Sequence, residues 1–326
     1  HMDASGGTED TTSSNDSIDV QLQILPNRLR IARITQDGLS AAALPLLKLV
    51  LFPAEDRSRF VSMTHTSEEL SIIIDEEDLA SFPPNVLQLG DKTFRALQVS
   101  EGSTGVTTVG IVQYLSVPLA AAGISIFYLS TYETDFTLIP EDNLSQALDV
   151  VQKHFVGADI DMSEIGTLPD QKACLPNDSP PHRHPIILPP GDLYLASIKR
   201  DQLPSMGTYI MNLLFHTGPT QSFFSYTETE EEVSLILNSQ TAAIFPPEAI
   251  NLHTEGWRLL KVDSGDKPLG FEETGIVSSI ADPLASAKIT LFYISTFSTD
   301  YPLVPVSDVS RAAQVLAAAK FDITSN

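Results

Sequence analysis

The chain alternates short stretches of period-two hydrophobicity, which are typical of strands, with segments of helical periodicity. In the first half, residues 20–25 and 29–35 alternate as strands do, and residues 42–52 have the apolar density of a packed helix. Residues 59–75 then predict a hairpin, and residues 75–82 predict a short helix. Strand, helix, hairpin and helix together predict one small unit of mixed α and β structure.

The same order of elements recurs along the rest of the chain. Residues 94–100 predict a strand, residues 107–123 a helix that ends at Gly123, residues 124–140 a hairpin and residues 141–155 an amphipathic helix. The second half repeats this plan, and such strands are well buried by the α+β, ferredoxin-like βαββαβ arrangement. The predicted divisions are a disordered tail with a cloning remnant (1–17), unit one (18–90), unit two (91–155), a proline-rich linker (156–190), unit three (191–251) and unit four (252–326).

Two segments of this plan are nearly the same in sequence. Residues 110–140 and 275–305 share about half of their amino acids, including Asp135 and Asp300, which end the motif ST-aromatic-x-TD in each copy. The similarity extends upstream into the preceding predicted hairpins. Because internal repetition indicates that one structural unit is built several times, we predict two duplicated halves, with function between the copies.

Composition restricts the classes of function. The chain has 326 residues and a net charge of −23, which disfavours nucleic acid or an anionic membrane as a partner and mildly favours cationic partners. No stretch has the length and hydrophobicity of a membrane span. Cys174 is the only cysteine, so neither a disulfide framework nor a thiolate metal cluster is expected. We expect a soluble, cytoplasmic protein.

Motifs for catalysis are scarce. The sequence lacks a phosphate-binding loop, a dinucleotide fingerprint, a zinc-protease motif and a nucleophile elbow, so it predicts neither an enzyme nor a cofactor. His182 and His184 lie in the proline-rich linker without a cysteine or carboxylate nearby in sequence, and no metal site is predicted there. The prolines exclude a helix or a central strand, so a semi-extended, mobile linker is expected.

Two features favour a site for a small molecule. The loop over residues 264–275 runs from a strand into a helix, where backbone N–H groups can hold a carboxylate and Glu273 can accept an ammonium group. A simpler interpretation is that Glu272 and Glu273 complement the helix dipole. Asp135 and Asp300 either hydrogen-bond their own backbone or face the interface between copies, where a guanidinium would suit them.

These motifs carry a family resemblance. The segments LSTYETDF, which contains Asp135, and PLGFEETGIV, followed by YISTFSTD with Asp300, resemble the CASTOR family, the cytosolic arginine sensors of the TOR pathway. The resemblance covers nearly the whole chain and is weakest in the linker. It implies four tandem ACT units, with arginine enclosed between units two and four.

The resemblance also implies a set of functional residues. Asp300 would pair with the guanidinium, and backbone and hydroxyl groups would hold the head group. The arginine pocket would comprise Ser125, Ile126, Gly270, Glu273, Thr274, Gly275, Ile276, Val277, Thr296, Phe297 and Asp300. Tyr132, Glu133 and Asp135 would contact a GATOR-type partner complex, and Met211 and His216 would lie at a homodimer contact.

Three of the predicted functional residues depart from the family pattern. Thr274 stands where the arginine sensor has a cysteine, Ile126 replaces a valine, and Glu133 replaces a glutamine. The first two change the pocket by about a methyl group or less, whereas the third adds charge on the partner face. The leading hypothesis is a non-enzymatic L-arginine sensor that regulates a protein partner in TOR-type signalling. The alternative is an ACT-type allosteric regulatory subunit of an amino-acid biosynthetic enzyme that responds to another amino acid.

Overall fold

The structure is a computed structural model, which describes residues 20–52, 58–101, 110–155, 160–161, 168, 171–176, 182–215, 223–265 and 268–325. The predicted tail (1–17) and His216 lie outside the described residues. None of the helices within these ranges is long and apolar enough to cross a membrane.

The first half follows the predicted order of elements. Its strands and helices are β1 (Val20–Ile24), β2 (Leu29–Thr35), α1 (Leu39–Leu51), β3 (Val61–Thr66), β4 (Glu69–Asp75), β5 (Gln88–Glu101), α2 (Ile111–Ala121), β6 (Phe127–Ser130), β7 (Thr134–Pro140), α3 (Leu144–His154) and β8 (Ile160–Asp161).

The second half repeats the first. Its elements are β9 (Ile186–Leu188), β10 (Asp192–Ile198), α4 (Leu203–Phe215), β11 (Phe223–Glu228), β12 (Val233–Asn238), α5 (Ser239–Ala242), β13 (Ile250–Leu259), β14 (Lys261–Val262), α6 (Ile276–Ser286), β15 (Phe292–Ser295), β16 (Asp300–Pro305), α7 (Val309–Ala318) and β17 (Ile323–Ser325).

The units join through a single large sheet. Its order is β2-β4-β3-β11-β12-β10-β13-β16-β15-β6-β7-β5-β1-β8, and an additional pairing of β2 with β5 closes the strands from β2 to β5 into a ring. One apolar core, which includes Phe136, Phe223 and Trp257, packs between the strands. Two other cores contain the helices, α1 and α4 in one and α2, α3, α6 and α7 in the other.

Unit one therefore pairs with unit three, and unit two with unit four. The first pair meets through β3 and β11 and through α1 and α4, and the second through β6 and β15 and through α2 and α6. The second contact is reciprocal, because the backbone N–H of Tyr128 donates to Ser295 Oγ and that of Tyr293 donates to Ser130 Oγ, both at 3.1 Å. Equivalent residues of the two copies thus face each other across a pseudo-two-fold axis.

Two long strands each belong to two units. β5 pairs with β2 of unit one over its first part and with β7 of unit two from Phe94 onward. β13 in the same way pairs with β10 of unit three and then with β16 of unit four. The predicted divisions after residues 90 and 251 fall inside these strands, because periodicity does not show where a continuous strand changes its partner.

Two local expectations were wrong. β1 does not complete unit one, since it pairs with β5 over Leu97–Glu101 and with β8, at the unit-two end of the sheet. The linker does contain a central strand, because β9 lies between β14 and β17 in a small three-stranded sheet. Pro185 and Pro189 flank β9 rather than interrupt it, so the N–H groups that its ladder needs are present.

We expect Gly123→Ala to destabilise the fold strongly. Gly123 has φ +76° at the end of α2, and a Cβ atom there would collide with the backbone carbonyl of Leu175. The matched control is Gly191→Ala, since Gly191 has φ +98° but a Cβ atom added to it would meet nothing within 4 Å. Left-handed strain alone costs about 1–2 kcal/mol. Urea unfolding should show a clearly larger loss for Gly123→Ala, and equal losses would contradict the predicted collision.

Candidate functional site

A narrow cleft lies where unit two meets unit four. The segment before β6 forms one wall, and the loop before α6 together with the end of β15 forms the other. This first cleft is lined by Ser116, Ala120, Ile124, Ser125, Ile126, Phe127, Leu269, Gly270, Glu273, Gly275, Ile276, Val277, Ser278, Ser295, Thr296 and Asp300.

The start of α6 gives the cleft a site for an anion. Gly275 precedes the helix with φ +86°, a left-handed conformation that glycine adopts without a Cβ penalty. No side chain caps α6, and its first turn contains no acidic residue. The first backbone N–H groups of a helix have no partner within the helix, and the helix dipole favours negative charge there. A carboxylate is therefore a suitable ligand for this end of the cleft.

Asp300 gives the cleft a site for a cation. The residue is 7% exposed, and Tyr293 Oη donates to its Oδ2 at 2.9 Å. Burial raises the pKa of Asp300 to about 6, against the opposing effect of hydrogen bonds from Ser295 and Tyr293. Burial disfavours the charged form of this carboxyl group, and a nearby cation favours it. A cationic ligand would therefore stabilise the ionised Asp300.

Glu273 has a partner that the sequence did not indicate. His184 Nε2 lies 2.7 Å from Glu273 Oε1, and both residues also influence the pKa of Asp300. His182 is close enough that one ligand atom each from His182, His184 and Glu273 lie within 4.8 Å of one another. Two imidazoles and a carboxylate are a donor set for a divalent metal. No metal site was predicted because no carboxylate lies near the two histidines in sequence. The loop before α6 folds against the linker and brings Glu273 to them.

A direct hydrogen bond holds the two walls of the first cleft together. Ser125 Oγ of unit two donates to the backbone carbonyl of Glu273 in unit four at 3.0 Å. The space that a water-sized sphere can occupy inside is about 30 Å³. One water needs about 10–15 Å³ by this measure, so the cleft must widen to admit an amino acid.

The cleft brings most of the predicted pocket residues together. Thr274 and Phe297 do not line it, and Phe297 instead lies against unit one, where its backbone N–H donates to Ser71 Oγ at 2.9 Å. Met211 packs partly buried at the edge of the core that contains α4. The predicted residues that line the cleft are Ser125, Ile126, Gly270, Glu273, Gly275, Ile276, Val277, Thr296 and Asp300.

Several lining residues were missed by sequence reasoning. Ser116 and Ala120 come from α2, which reaches the cleft because it packs on α6. Ser295 belongs to the repeated ST-aromatic-x-TD motif, so the motif itself was a signal for it. The residues missed are Ser116, Ala120, Ile124, Phe127, Leu269, Ser278 and Ser295.

A second cleft lies at the pseudo-equivalent position and is larger, with about 490 Å³ accessible to a water-sized sphere. Ser130, Thr131 and Asp135 occupy the places that Ser295, Thr296 and Asp300 have in the first cleft. The predicted partner residues Tyr132 and Glu133 also line it.

Cys174 has the properties of a structural residue. It is partly buried, and its backbone N–H donates to Gln146 Oε1 at 2.7 Å. Burial raises the pKa of its thiol, which disfavours the reactive thiolate.

The fold defines a tandem ACT-domain protein in which a cleft lies between paired units. A family model described as ACT domain matches residues 90–153 and 252–318. The model for the N-terminal domain of cytosolic arginine sensor for mTORC1 subunit 1 matches residues 28–86, and the subunit 1/2 ACT-like model matches residues 184–254. The predicted fold class is confirmed.

Relatives extend this similarity along nearly the full chain. The chain is 33% identical to cytosolic arginine sensor for mTORC1 subunit 1 of Bos taurus, over 91% of this chain and 97% of the relative. It is 32% identical to the Homo sapiens protein of the same name, with the same coverage. The chain belongs to the family of cytosolic arginine sensors for mTORC1.

Proposed function

We propose that the chain is a non-enzymatic, cytosolic amino-acid sensor that binds L-arginine in the first cleft and regulates a protein partner in TOR-type nutrient signalling. The observation that carries the proposal is the pairing, in one cleft, of the buried carboxylate of Asp300 with the uncapped start of α6. A guanidinium suits the first and an α-carboxylate suits the second.

The remaining groups of the cleft complete this assignment. Glu273 would accept the α-ammonium group, in exchange for its contact with His184. Backbone and hydroxyl groups at Ser125, Gly270 and Thr296 supply further polar contacts. Lysine would lose the planar two-point contact at Asp300, and citrulline would lose the charge, so arginine is preferred over both.

The closed first cleft supplies a means of signalling. Arginine must separate the walls that Ser125 and Glu273 join, so the liganded and free proteins differ in how units two and four meet. A ligand shifts a conformational equilibrium only by its differential affinity for the two states. Asp135 and Tyr132 follow directly after β6, whose start forms the wall with Ser125, so the shift reaches the predicted partner face.

The proposed partners are those that the family resemblance implies. A GATOR-type complex that regulates TOR would contact Tyr132, Glu133 and Asp135, and a second copy of the chain would pair through Met211 and His216. The alternative, a regulatory subunit that responds to another amino acid, is less well supported, because the relatives named above are arginine sensors.

Arginine affinity should depend on pH in a defined direction. The pKa of Asp300, about 6 in the folded protein, means that its carboxylate loses negative charge as the pH falls through 6. Below that value the affinity should fall by up to about tenfold per pH unit, and above it the affinity should level off. Tyr293, His184 and Glu273 also face Asp300, but a guanidinium directly requires the ionised Asp300.

Calorimetric titration with L-arginine, L-lysine and L-citrulline at several pH values tests both the ligand and this dependence. We expect one strong site for arginine, with weaker lysine binding and still weaker citrulline binding. No arginine binding by folded protein, or equal affinity for citrulline, would overturn the proposed function.

A further inference from the structure

The two pseudo-equivalent hairpins that follow β6 and β15 are held by carboxylates from other units. Glu232 of unit three accepts hydrogen bonds from Thr131 Oγ1 and from the backbone N–H of Glu133, the latter at 3.2 Å. Glu69 of unit one accepts from the backbone N–H of Ser298 at 3.1 Å. Each hairpin thus rests on one buried glutamate.

In the contact between units one and four, a guanidinium completes the arrangement. Arg33 Nη1 lies 3.1 Å from Ser298 Oγ and 3.6 Å from Glu69 Oε2. Its Nε donates to Gln88 Oε1 at 2.6 Å, and its Cζ lies 5.4 Å from the ring centroid of Phe297. One arginine therefore combines hydrogen bonds, charge neutralisation and a cation–π contact.

The strand register shows which residue takes this place in the contact between units three and two. Arg33 pairs with Ser71 across β2 and β4, and Ser197 pairs with Ser234 across β10 and β12. Ser71 and Ser234 are equivalent, because each accepts the hairpin N–H, of Phe297 and Tyr132 respectively, at 2.9 Å. Ser197 therefore stands where unit one has Arg33.

The groups that surround Arg33 nevertheless have counterparts around Ser197. Glu133 takes the place of Ser298, which adds a carboxylate. Asn251 pairs with Ser197 as Gln88 pairs with Arg33, and its Nδ2 donates to Tyr132 Oη at 3.0 Å. We call the cluster of Tyr132, Glu133, Glu232 and Asn251 the docking site.

The docking site contains two carboxyl groups, those of Glu133 and Glu232. Among the described residues, no lysine or arginine forms an ion pair with Glu133 or Glu232. Burial raises the pKa of Glu232 to about 7, and the neighbouring charges of Glu133 and Glu231 raise it further against the hydrogen bonds that lower it. At Glu69, by contrast, Arg33 opposes the effect of burial.

We propose that the docking site binds an arginine side chain that the protein partner carries. The chain itself shows the chemistry, because Arg33 occupies the equivalent position in the other pair of units. Glu133 and Asn251 are exposed, so a side chain can reach the site from outside without separating strands. This inference rests on the proposed function, because it assumes a protein partner. It adds that the partner presents an arginine side chain to the docking site.

A capped tripeptide, acetyl-Gly-Arg-Gly-amide, tests the docking site directly. NMR titration should show saturable shifts at the amides of Tyr132 and Glu133, with affinity about tenfold weaker for the lysine peptide and no saturable shifts for the citrulline peptide. Ser197→Arg, which places a guanidinium in the site from within the chain, should abolish peptide binding and raise the thermal midpoint. Ser197→Gln, with a shorter, uncharged side chain, should weaken peptide binding much less.

Additional variants separate the possible outcomes. Glu133→Gln should weaken peptide binding about tenfold even if Ser197→Arg fails to fold. Asp300→Asn should leave peptide binding unchanged while removing the response to free L-arginine, so this proposal and the proposed function can fail separately. The docking site would be overturned if the unaltered protein showed no saturable peptide shifts. It would also be overturned if the shifts were saturable but unaffected in both Ser197→Arg and Glu133→Gln. In Asp300→Asn protein, where the first cleft no longer responds to the free amino acid, free L-arginine that shifts these amides with an affinity equal to that of the peptide would overturn the assignment of the docking site to a protein partner.

Discussion

Asp300→Asn should reduce arginine affinity by about a hundredfold or more while leaving the unliganded fold nearly as stable. The buried carboxylate is the charge that the guanidinium would meet. Truncating one partner of a buried, hydrogen-bonded charge pair costs about 2–5 kcal/mol of binding free energy. Calorimetric titration at pH 7.5 or above measures the change. This pH is about 1.5 units above the pKa of Asp300, so the carboxylate is ionised there.

The small effect on stability follows from the sign of the pKa shift. Because the pKa of Asp300 is raised on folding, from 3.8 to about 6, its favourable contribution is complete below the unfolded pKa and is lost as the pH rises through 6. At neutral pH the charge gives no net stabilisation to be lost. Asparagine also keeps an oxygen that accepts from Tyr293 Oη, so this buried hydroxyl retains its partner.

A control of the same charge change is available on α6. Asp282 is exposed and accepts a hydrogen bond from Gln113 Nε2 at 2.5 Å, outside the residues that line the first cleft. Asp282→Asn should leave arginine affinity within about twofold, since exposed charges are well screened. Unfolding of Asp300→Asn protein at neutral pH without ligand would show that Asp300 is structural. An equal loss of affinity in both variants would show that Asp300 is not the specific guanidinium acceptor.

Arg59→Met should cost about 3–5 kcal/mol of folding free energy, the largest stability loss we expect from one substitution. Arg59 is buried where unit one meets unit three, and its Nη2 lies 2.8 Å from Glu228 Oε2. The same nitrogen donates to the backbone carbonyl of Leu49 at the end of α1. Methionine would leave the nearly inaccessible carboxylate of Glu228 without its closest cation.

The double variant Arg59→Met, Glu228→Gln separates charge from packing. Removing the charge of Glu228 as well should restore part of the lost stability, because a neutral amide costs less to bury than an unpaired carboxylate. Urea denaturation of the single and double variants gives the comparison. The explanation fails if Arg59→Met costs less than about 1 kcal/mol or if the double variant is the less stable of the two.

The residues of the first cleft were expected mainly from the resemblance to the CASTOR family, and the sequence itself singled out the loop over residues 264–275 and Asp300. Asp300 and Ser295 belong to the repeated ST-aromatic-x-TD motif. Gly275 precedes the helix of the second copy in the left-handed conformation, as Gly110 does in the first. Local patterns of this kind report turns and helix starts. The contact of His184 with Glu273 was not predictable, because 89 residues separate them and nothing in either segment indicates the other.

The docking site shows the same limit more sharply. Arg33 and Ser197 look unrelated in sequence, and only the pairing with Ser71 and Ser234 makes them equivalent. Glu69 and Glu232, by contrast, occupy matching places in the repeated hairpins and were visible in the alignment of the two halves. What the alignment did not show is that each glutamate reaches a hairpin of another unit.

The amino-acid sequence by itself determined the order of strands and helices, the duplication and the positions of the repeated aspartates, because these depend on local periodicity and local identity. Only the tertiary structure decided that unit one pairs with three and two with four, that β1 crosses to the unit-two end of the sheet, and that the first cleft is closed. Those features arise from contacts between distant segments. The sequence indicates that an apolar strand face must be buried and that the N–H and C=O groups of a strand edge must be paired. It does not indicate which of several possible segments buries the face or pairs with the edge.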